Sequence, residues 1–260
     1  MKVYTKKESS EVRRFNDHLA ALKARGIPLP TVIALLILGT KPAVVYEYCP
    51  GRHPFDASEA TLESIATMMA TLHRVDYEGF SDKRTIGREE LLMILERCTT
   101  MPAQEVLREI VMHVDLSYQK NLPRGIVHGD FSYSNLLVDC HDKLTALLDF
   151  DHACYTDLLT DVARAQIFFS FDEFERFCPE RCAHFLSAYS IYRPLTEKEL
   201  EGFRSHLLLH LVRMYAETYY YVDERKEVDR KIFTGHRRAQ SPEALFRKIE
   251  NYCQWLCSTS

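Results

Sequence analysis

The sequence predicts an α+β fold of two lobes, a small one built on a β-sheet and a large one that is mainly helical. Apolar runs rich in β-branched and aromatic residues lie within the first 50 residues. Beyond them, apolar residues at three-to-four spacing predominate, as in amphipathic helices. The stretch CPGRHPF (49–55) separates the two patterns with prolines and a glycine. We therefore predict a small lobe over residues 1–50 and a large lobe over residues 51–260.

The predicted small lobe contains about three strands and one helix. A short strand, KVYT (2–5), precedes a helix from Ser9 to about Arg25, and the runs VIALLIL (32–38) and AVVYEY (43–48) form a hairpin. Apolar residues on one face of the helix are expected to pack on the sheet. None of the nine glycines belongs to the phosphate-binding pattern G-x-G-x-x-G.

The large lobe is expected to be helical except around one polar motif. Asp56 with Glu59, and Thr196 with Glu199, have the spacing of capping boxes at helix starts. Ser241-Pro242 opens the last helix, because proline is tolerated at a first helical position. Three short apolar runs, IVH, LLV and LTALLD, are predicted strands. Apart from the last helix, the predicted helices of the large lobe cover approximately residues 56–74, 88–98, 102–120, 157–170, 180–192 and 196–222.

Composition and charge exclude several classes of partner. The 33 Lys and Arg residues against 37 Asp and Glu give a net charge of −4 without a long basic run, so nucleic acid is not expected as a partner. The eight cysteines form no C-x-x-C pair, which is typical of thiols in a reducing cytosol. The polar start and the short apolar runs predict neither a signal peptide nor a membrane span. We expect a cytoplasmic protein with no membrane partner, and its oligomeric state is left open.

A cluster of polar residues lies between the predicted strands, in HGDFSYSN (128–135) and LLDFD (147–151). Asp130 and Asn135 are five residues apart, the spacing of H-R-D-L-x-x-x-N in the catalytic loop of protein kinases. Phosphoryl transfer needs a carboxylate to receive the proton of the acceptor hydroxyl and a neutral oxygen to hold Mg²⁺ on the phosphates. A tight loop between two strands directs both side chains into one cleft, and Gly129 permits the turn.

Asp149 is the second acidic group of this cluster. It ends an apolar strand and precedes Phe150, as the aspartate of D-F-G does. Any one of these acids alone is more commonly a turn or cap residue. Their combination with His128, two residues before Asp130, and with strand patterns on both sides favours a catalytic site.

These two segments, HGDFSYSNLLVD (128–139) and LTALLDFDHACYTDLLTDVAR (144–164), resemble the superfamily of aminoglycoside phosphotransferases, choline kinases and type II homoserine kinases. The resemblance extends from Lys2 to about Val222 and implies a protein-kinase-like fold with a truncated small β-lobe. It implies that Asp130 is the catalytic base, that Asn135 and Asp149 bind Mg²⁺, and that His128 braces the loop. It also implies that Asp161 supports the loop, whereas Asp151 either assists metal binding or caps the next segment.

The resemblance extends to the nucleotide site. KVY is similar to the strand whose lysine holds the phosphates of ATP, which implies that role for Lys2. Glu11 on the following helix is then the expected partner of its ion pair, with Glu8 as the second choice. VYEYCPG is similar to the hinge between the lobes, where backbone groups bind the adenine; these would be the groups of Glu47, Tyr48 and Cys49.

The implied function is an ATP- and Mg²⁺-dependent phosphotransferase that phosphorylates a hydroxyl of a small, amine-bearing molecule. The short stretch between DFD and the helix predicted near Asp157 leaves no room for a long activation segment, which favours a small-molecule kinase over a protein kinase. Homoserine-, choline- and aminoglycoside-like acceptors stay open. The tyrosines 215, 219 and 220 form either an aromatic cage for a cation or part of the core. Because the glycine-rich loop is missing, the alternative is a non-catalytic, kinase-like binding module.

Overall fold

The computed structural model describes residues 1–229 and 240–259. Its described helices are α1 Ser9–Lys23, α2 Glu59–His73, α3 Arg88–Glu96, α4 Gln104–His113, α5 Leu159–Phe169, α6 Pro179–Tyr192, α7 Glu197–Tyr219 and α8 Pro242–Ser258. Its described strands are β1 Lys2–Val3, β2 Val32–Leu38, β3 Lys41–Tyr46, β4 Arg124–Val127, β5 Leu136–Val138, β6 Leu144–Leu147 and β7 Cys154–Asp157. Short strands and several helices together confirm the α+β class.

The chain divides into two compact units. Unit 1 comprises Met1–Asp82, Gly125–Tyr155 and Phe185–Pro194, and unit 2 comprises Lys83–Arg124, Thr156–His184 and Leu195–Ser260. Unit 1 therefore unites the predicted small lobe with the polar motif. The lobe boundary near residue 50 stays a prediction.

A three-stranded antiparallel sheet with the order β1-β3-β2 forms the start of unit 1. Lys2 on β1 and Leu35 on β2 both lie opposite Val44, which is on the central strand β3. Val44 is fully buried and packs with Tyr4 and with Val12 of α1. Helix α1 thus covers one face of the sheet, as its apolar face predicts, and the sheet sets the position of Lys2.

In unit 2, helix α7 packs against α3, α5 and α8. Its leucines 207, 209 and 211 are fully buried, so this helix supplies much of the core. Lys248 of α8 is also buried; its ammonium group donates to the carbonyl of Ile167 at 2.8 Å and lies 3.5 Å from the Glu175 carboxylate. No described helix, α7 with its 23 residues included, combines the length and apolarity needed to cross a membrane.

Several helix ends test the capping predictions. Thr196 and Glu199 form the predicted capping box of α7, and Ser241 caps α8 with Pro242 at its first position. The capping box at Asp56 is wrong, because α2 starts at Glu59 and its cap is Ser58, whose hydroxyl accepts the amide of Thr61.

Two other boundaries differ from the sequence prediction. The helix predicted over 102–120 is shorter: α4 ends at His113, and only a 3₁₀ turn follows at Ser117–Gln119. Strand β7, Cys154–Asp157, was not predicted, since the sequence favoured a helix from about residue 157. A four-residue strand carries too few alternating positions to stand out from the helix that follows it.

Candidate active site

The loop between β4 and β5 carries the first half of the polar motif. Gly129 has a φ of +77°, and a Cβ atom there would lie 2.5 Å from the carbonyl oxygen of His152. Glycine is needed for both reasons, because other residues rarely adopt this conformation and have no room for their side chain. The turn places Asp130 at the start of the loop and Asn135 at its end.

Asp130 and Asn135 are in direct contact. The amide nitrogen of Asn135 donates to Asp130 Oδ2 at 2.8 Å and to the Asp130 carbonyl at 2.9 Å. The 3₁₀ turn Tyr133–Asn135 closes the loop and buries Asn135. Both hydrogen bonds use the amide nitrogen, so the amide oxygen is the atom that can serve as a metal ligand.

His128 connects the loop to the strand that precedes Asp149. Its Nδ1 accepts the backbone amide of Asp130 at 3.2 Å, and its Nε2 donates to the carbonyl of Leu148 at 2.8 Å. The ring is fully buried and its centroid lies 4.4 Å from that of Phe150. These contacts join the two segments, and the bracing role of His128 stays a prediction.

Asp149 and Asp151 share one cation, the ammonium group of Lys2. Lys2 Nζ lies 2.6 Å from Asp149 Oδ1 and 2.8 Å from Asp151 Oδ2. Burial would raise the pKa of Asp149, but the hydrogen bond and charge of Lys2 outweigh it and lower that pKa. Burial would lower the pKa of Lys2, but its bonds to both carboxylates raise it. Lys2 and Asp149 are therefore both charged at neutral pH.

The backbone around Asp149 explains how two carboxylates meet there. Asp149 has a φ of +56°, and its side chain accepts the backbone amide of Asp151 at 3.3 Å, which caps the 3₁₀ turn Phe150–His152. Asp149, and not Asp151, is thus the cap. The Asp151 carboxylate lies on Lys2 and at 3.5 Å from Lys7.

The expected ion pair of Lys2 with Glu11 is not found among the described contacts. Glu11 instead accepts the backbone amide of Glu8 at 2.8 Å, and the two form the capping box of α1. An acid in the first turn of a helix is stabilised by the unpaired amides there. Glu8, the second choice, is the N-cap itself, so neither acid lies on Lys2.

The donor set fits a hard cation such as Mg²⁺. Asp149 and Asp151 already hold a cationic group between them, and Asn135 can add a neutral oxygen. Among residues 1–229 and 240–259, no group of three or more His, Cys, Asp or Glu side chains forms a metal site. Mg²⁺ is suited to such an incomplete set, because it usually takes one or two carboxylates and fills its other positions with water and phosphate oxygens.

A cavity of about 460 Å³ extends from these carboxylates to the predicted hinge. Lys2 and Asp149 line one end, and Glu47, Tyr48 and Cys49 line the other. Its walls are apolar and aromatic, with contributions from Tyr4, Phe15, Leu29, Tyr46, Leu137 and Leu147. A mainly apolar cavity with Lys2 and Asp149 in its lining is suited to a ligand that combines a planar ring with anionic groups.

Within the hinge segment, the backbone amide and the carboxylate of Glu47 form hydrogen bonds inside the protein. Its backbone amide donates to the carbonyl of Thr31 at 2.8 Å, and its carboxylate accepts from the amide of Thr31 at 2.8 Å and from Lys23 at 3.0 Å. Hydrogen bonds from Thr31 and Lys23 lower the pKa of Glu47 to about 2. Among the backbone N–H groups of the predicted hinge, those of Tyr48 and Cys49 would therefore be the donors to a ring.

A family model for phosphotransferase enzymes, APH, matches residues 1–195 of the 260. The chain belongs to this family. The match begins at β1 and includes both halves of the polar motif, which confirms the resemblance drawn from those residues.

Individual relatives agree with this placement. A homoserine kinase from Afipia carboxidovorans is 30% identical over 203 residues, 71% of this chain and 60% of that protein, so the chain spans less than two thirds of this relative. A choline kinase from Streptococcus pneumoniae has a TM-score of 0.66 at 16% identity and covers 97% of this chain and 85% of its own. An aminoglycoside phosphotransferase from Streptomyces rimosus, solved with ADP and streptomycin, has a TM-score of 0.56 at 18% identity and covers 80% and 85%. These structures confirm the protein-kinase-like fold.

Sequence reasoning missed two side chains at the candidate site. Lys7 lies 3.5 Å from Asp151 and over the ring of Phe15, 4.7 Å from its centroid. Asn16, buried in α1, accepts the hydroxyl of Tyr46 at 3.1 Å and so holds this cavity wall in place. Neither had a usable signal, since Lys7 lies in a polar run and Asn16 interrupts an apolar helix face.

Other candidate residues lie in unit 2. The side chains of Tyr215 and Tyr219 are buried, and the Tyr219 hydroxyl donates to the carbonyl of Thr100 at 2.9 Å. Buried rings with an internal partner are part of the core rather than an aromatic cage. Tyr220 starts the π-turn Tyr220–Glu224 that ends α7. Asp161 is fully buried in α5, and its supporting role stays a prediction.

Proposed function

We propose that this protein is an ATP- and Mg²⁺-dependent phosphotransferase that transfers the γ-phosphate to a hydroxyl of a small, amine-bearing molecule. The observation that carries the proposal is the direct contact of Asp130 with Asn135. In this contact a carboxylate that can accept a proton lies beside an amide group whose oxygen can bind a metal, which supports the proposal. Phosphoryl transfer depends on positioning and on charge neutralisation; Asp130 would supply the first, and a metal held with the help of Asn135 would supply the second.

In this proposal Asp130 orients the acceptor hydroxyl and takes its proton as the new bond to phosphorus forms. Asn135 and Asp149, with Asp151, would hold Mg²⁺, which neutralises charge on the phosphates when it is bound. His128 keeps the loop and the Asp149 segment in register through its two hydrogen bonds. These roles are assigned from the motif and from the contacts within unit 1.

The nucleotide would occupy the cavity between the hinge and Asp149. Its phosphates would lie at the charged end beside Lys2, and its adenine would lie among Leu29, Leu137 and Leu147. The carbonyl of Glu47 and the backbone groups of Tyr48 and Cys49 are the proposed partners of the ring edge, because the amide of Glu47 is already engaged with Thr31. The aminoglycoside phosphotransferase solved with ADP supports a nucleotide in this fold.

The acceptor class is proposed from the relatives. Homoserine, choline and aminoglycosides each combine a hydroxyl with an amine or ammonium group, and their kinases are similar to this chain. Sequence similarity favours homoserine, since 30% identity is shared with a homoserine kinase and only 16–18% with the structural neighbours cited above. The predicted cytoplasmic location stays a prediction.

The test is acceptor-dependent formation of ADP, with the phosphorylated product identified by mass spectrometry. Purified protein, ATP and Mg²⁺ are combined with homoserine, choline or streptomycin, and Asp130→Asn serves as the inactive control. We expect one acceptor to raise ADP formation far above the rate without acceptor. If ATP with Mg²⁺ raises the thermal midpoint but none of the acceptors is phosphorylated, the non-catalytic binding module is the better account. A ligand at 100 times its Kd adds about 2.7 kcal/mol of stability, enough to detect.

A further inference from the structure

Lys2 is in an unexpected place for a residue that is assigned to the phosphates. Its ammonium group lies between the two carboxylates, 2.6 Å from Asp149 and 2.8 Å from Asp151. The chain positions it there, because β1 pairs with β3 in the register Lys2 to Val44. The side chain of Lys2 is 30% exposed and that of Asp149 is 49% exposed, so the contact is open to water and to an entering metal ion.

The same carboxylate oxygens are the proposed ligands of the metal. Mg²⁺ binds oxygen at about 2.0–2.1 Å, so it would have to take a position close to that of the ammonium nitrogen. Two cations cannot share the position, because their repulsion adds to the loss of the hydrogen bonds of Lys2. Metal binding at Asp149 and Asp151 and the contact of Lys2 with them therefore exclude each other.

A nucleotide offers Lys2 another partner. Lys2 lines the same cavity as the hinge, so phosphates at its charged end would come within reach of the ammonium group. Lysine has a flexible four-carbon chain and moves between anionic partners more easily than arginine does. When Lys2 turns to the phosphates, both carboxylates become available to the metal.

We infer that Lys2 acts as a built-in substitute for the metal, which keeps the carboxylate pair from binding Mg²⁺ until a nucleotide draws the ammonium group away. This inference rests on the metal assignment in the proposed function. It makes nucleotide and metal binding cooperative through one side chain, and the coupling is the same in both directions. Lys2 was expected only to promote nucleotide binding. It also opposes the binding of a metal when no nucleotide is present.

The experiment measures Mn²⁺ binding by electron paramagnetic resonance, without nucleotide or acceptor. The full chain is compared with Lys2→Met, which keeps an unbranched side chain only one atom shorter and removes its charge. Lys6→Met is the matched control, because Lys6 is exposed, carries the same charge and lies outside the described contacts of both carboxylates. Lys7→Met tests the neighbouring lysine, whose ammonium group lies 3.5 Å from Asp151 and has no described contact with Asp149.

We expect Lys2→Met to lower the Kd for Mn²⁺ at least tenfold, Lys7→Met to lower it less, and Lys6→Met to change it by less than twofold. The tight site should disappear in the double variant Lys2→Met/Asp149→Asn. Adding a non-hydrolysable ATP analogue should raise Mn²⁺ affinity strongly in the unchanged protein and much less in Lys2→Met. Circular dichroism checks that each variant is folded.

Two results would overturn the inference. One is a Kd in Lys2→Met that is equal to or higher than in Lys6→Met, and the other is Mn²⁺ binding in Lys2→Met that survives loss of the Asp149 carboxylate. Absence of measurable binding in every variant would also overturn it, because the carboxylates would then not form a cation site. None of these measurements involves turnover. A protein without transferase activity can still show the tighter site, and an active one can fail to show it.

Discussion

Asn135 donates one amide nitrogen to two oxygens of Asp130, the carboxylate Oδ2 at 2.8 Å and the backbone carbonyl at 2.9 Å. The loop between them is closed by a 3₁₀ turn, so the two ends of HGDFSYSN return to one point. The contact orients the Asp130 carboxylate and commits the nitrogen of Asn135, which leaves the amide oxygen for a metal. The proposed base, Asp130, and the proposed metal ligand, Asn135, therefore hold each other in position.

Asp130→Asn removes the proposed base but keeps its shape. The new amide oxygen can still accept the hydrogen bond of Asn135, so the loop should stay intact. We expect kcat to fall by about 10²–10⁴, the usual contribution of a general base, with an unchanged Kd for ATP. Steady-state kinetics and calorimetric titration measure the two. Asp115→Asn, an equal loss of charge at an exposed turn in unit 2, is the control, and equal kcat in the two variants contradicts the role of Asp130.

Asp149→Ala tests the metal assignment. Because this side chain is the proposed anionic ligand, its loss should abolish the part of ATP affinity that depends on Mg²⁺ while leaving the weaker metal-free binding. Calorimetric titration of ATP with and without Mg²⁺ gives the two affinities. Asp139→Ala, at an exposed turn whose carboxylate binds only backbone amides nearby, is the matched variant. A Mg²⁺ effect of unchanged size in Asp149→Ala would reject the assignment.

Gly129→Ala should destabilise the protein more than an ordinary glycine substitution in a turn. The positive φ alone costs alanine about 1–2 kcal/mol, and the added Cβ would lie 2.5 Å from the carbonyl of His152. Gly39→Ala isolates the first effect, since Gly39 has a φ of +64° and no atom within 4 Å of an added Cβ. We expect urea unfolding to give a clearly larger loss for Gly129→Ala. Equal losses would mean that the loop adjusts freely around His152.

A buried histidine pair in unit 2 predicts a pH dependence of stability. His210 Nε2 lies 3.2 Å from the Nε2 of His206, which in turn lies 3.3 Å from Asp157. Burial lowers the pKa of His210, and His206, Arg164 and Arg213 lower it further, against the opposing charge of Asp157. The unfolded chain, with a pKa of about 6.5, takes up the proton first as the pH falls. The contribution of neutral His210 to the free energy of unfolding is therefore fully present above a pH of about 6.5 and is lost as the pH falls below that value.

The loss should approach about 1.4 kcal/mol per pH unit for one proton. Asp157 does not disturb this window, because the hydrogen bond from His206 lowers its pKa and it stays ionised. Thermal unfolding between pH 7 and pH 5.5 is compared for the unchanged protein, His210→Gln and the exposed control His113→Gln. Only His210→Gln should flatten the profile. An NMR titration that protonates the His210 ring near pH 6.5 in the folded protein would contradict the prediction.

The sequence by itself determined the parts of this protein that depend on neighbours along the chain. The spacing of Asp130 and Asn135 in one loop, and the capping box of Thr196 with Glu199, could be predicted because a few backbone angles decide such contacts. The apolar patterns were sufficient for α1 and the β2-β3 hairpin for the same reason. Strand β7 was too short to be recognised from the sequence, and the cap of α2 is Ser58 instead of the predicted Asp56.

Only the tertiary structure decided the contacts between distant segments. Lys2 and Asp149 are 147 residues apart, and their pairing depends on how β1 is placed by the sheet, which no local pattern records. The same holds for His206 and Asp157, which meet in the core of unit 2. The family resemblance implies Glu11 as the partner of Lys2, yet the backbone amide of Glu8 at the start of α1 holds it. Charged side chains take the partner that packing brings closest, and packing is a property of the whole chain.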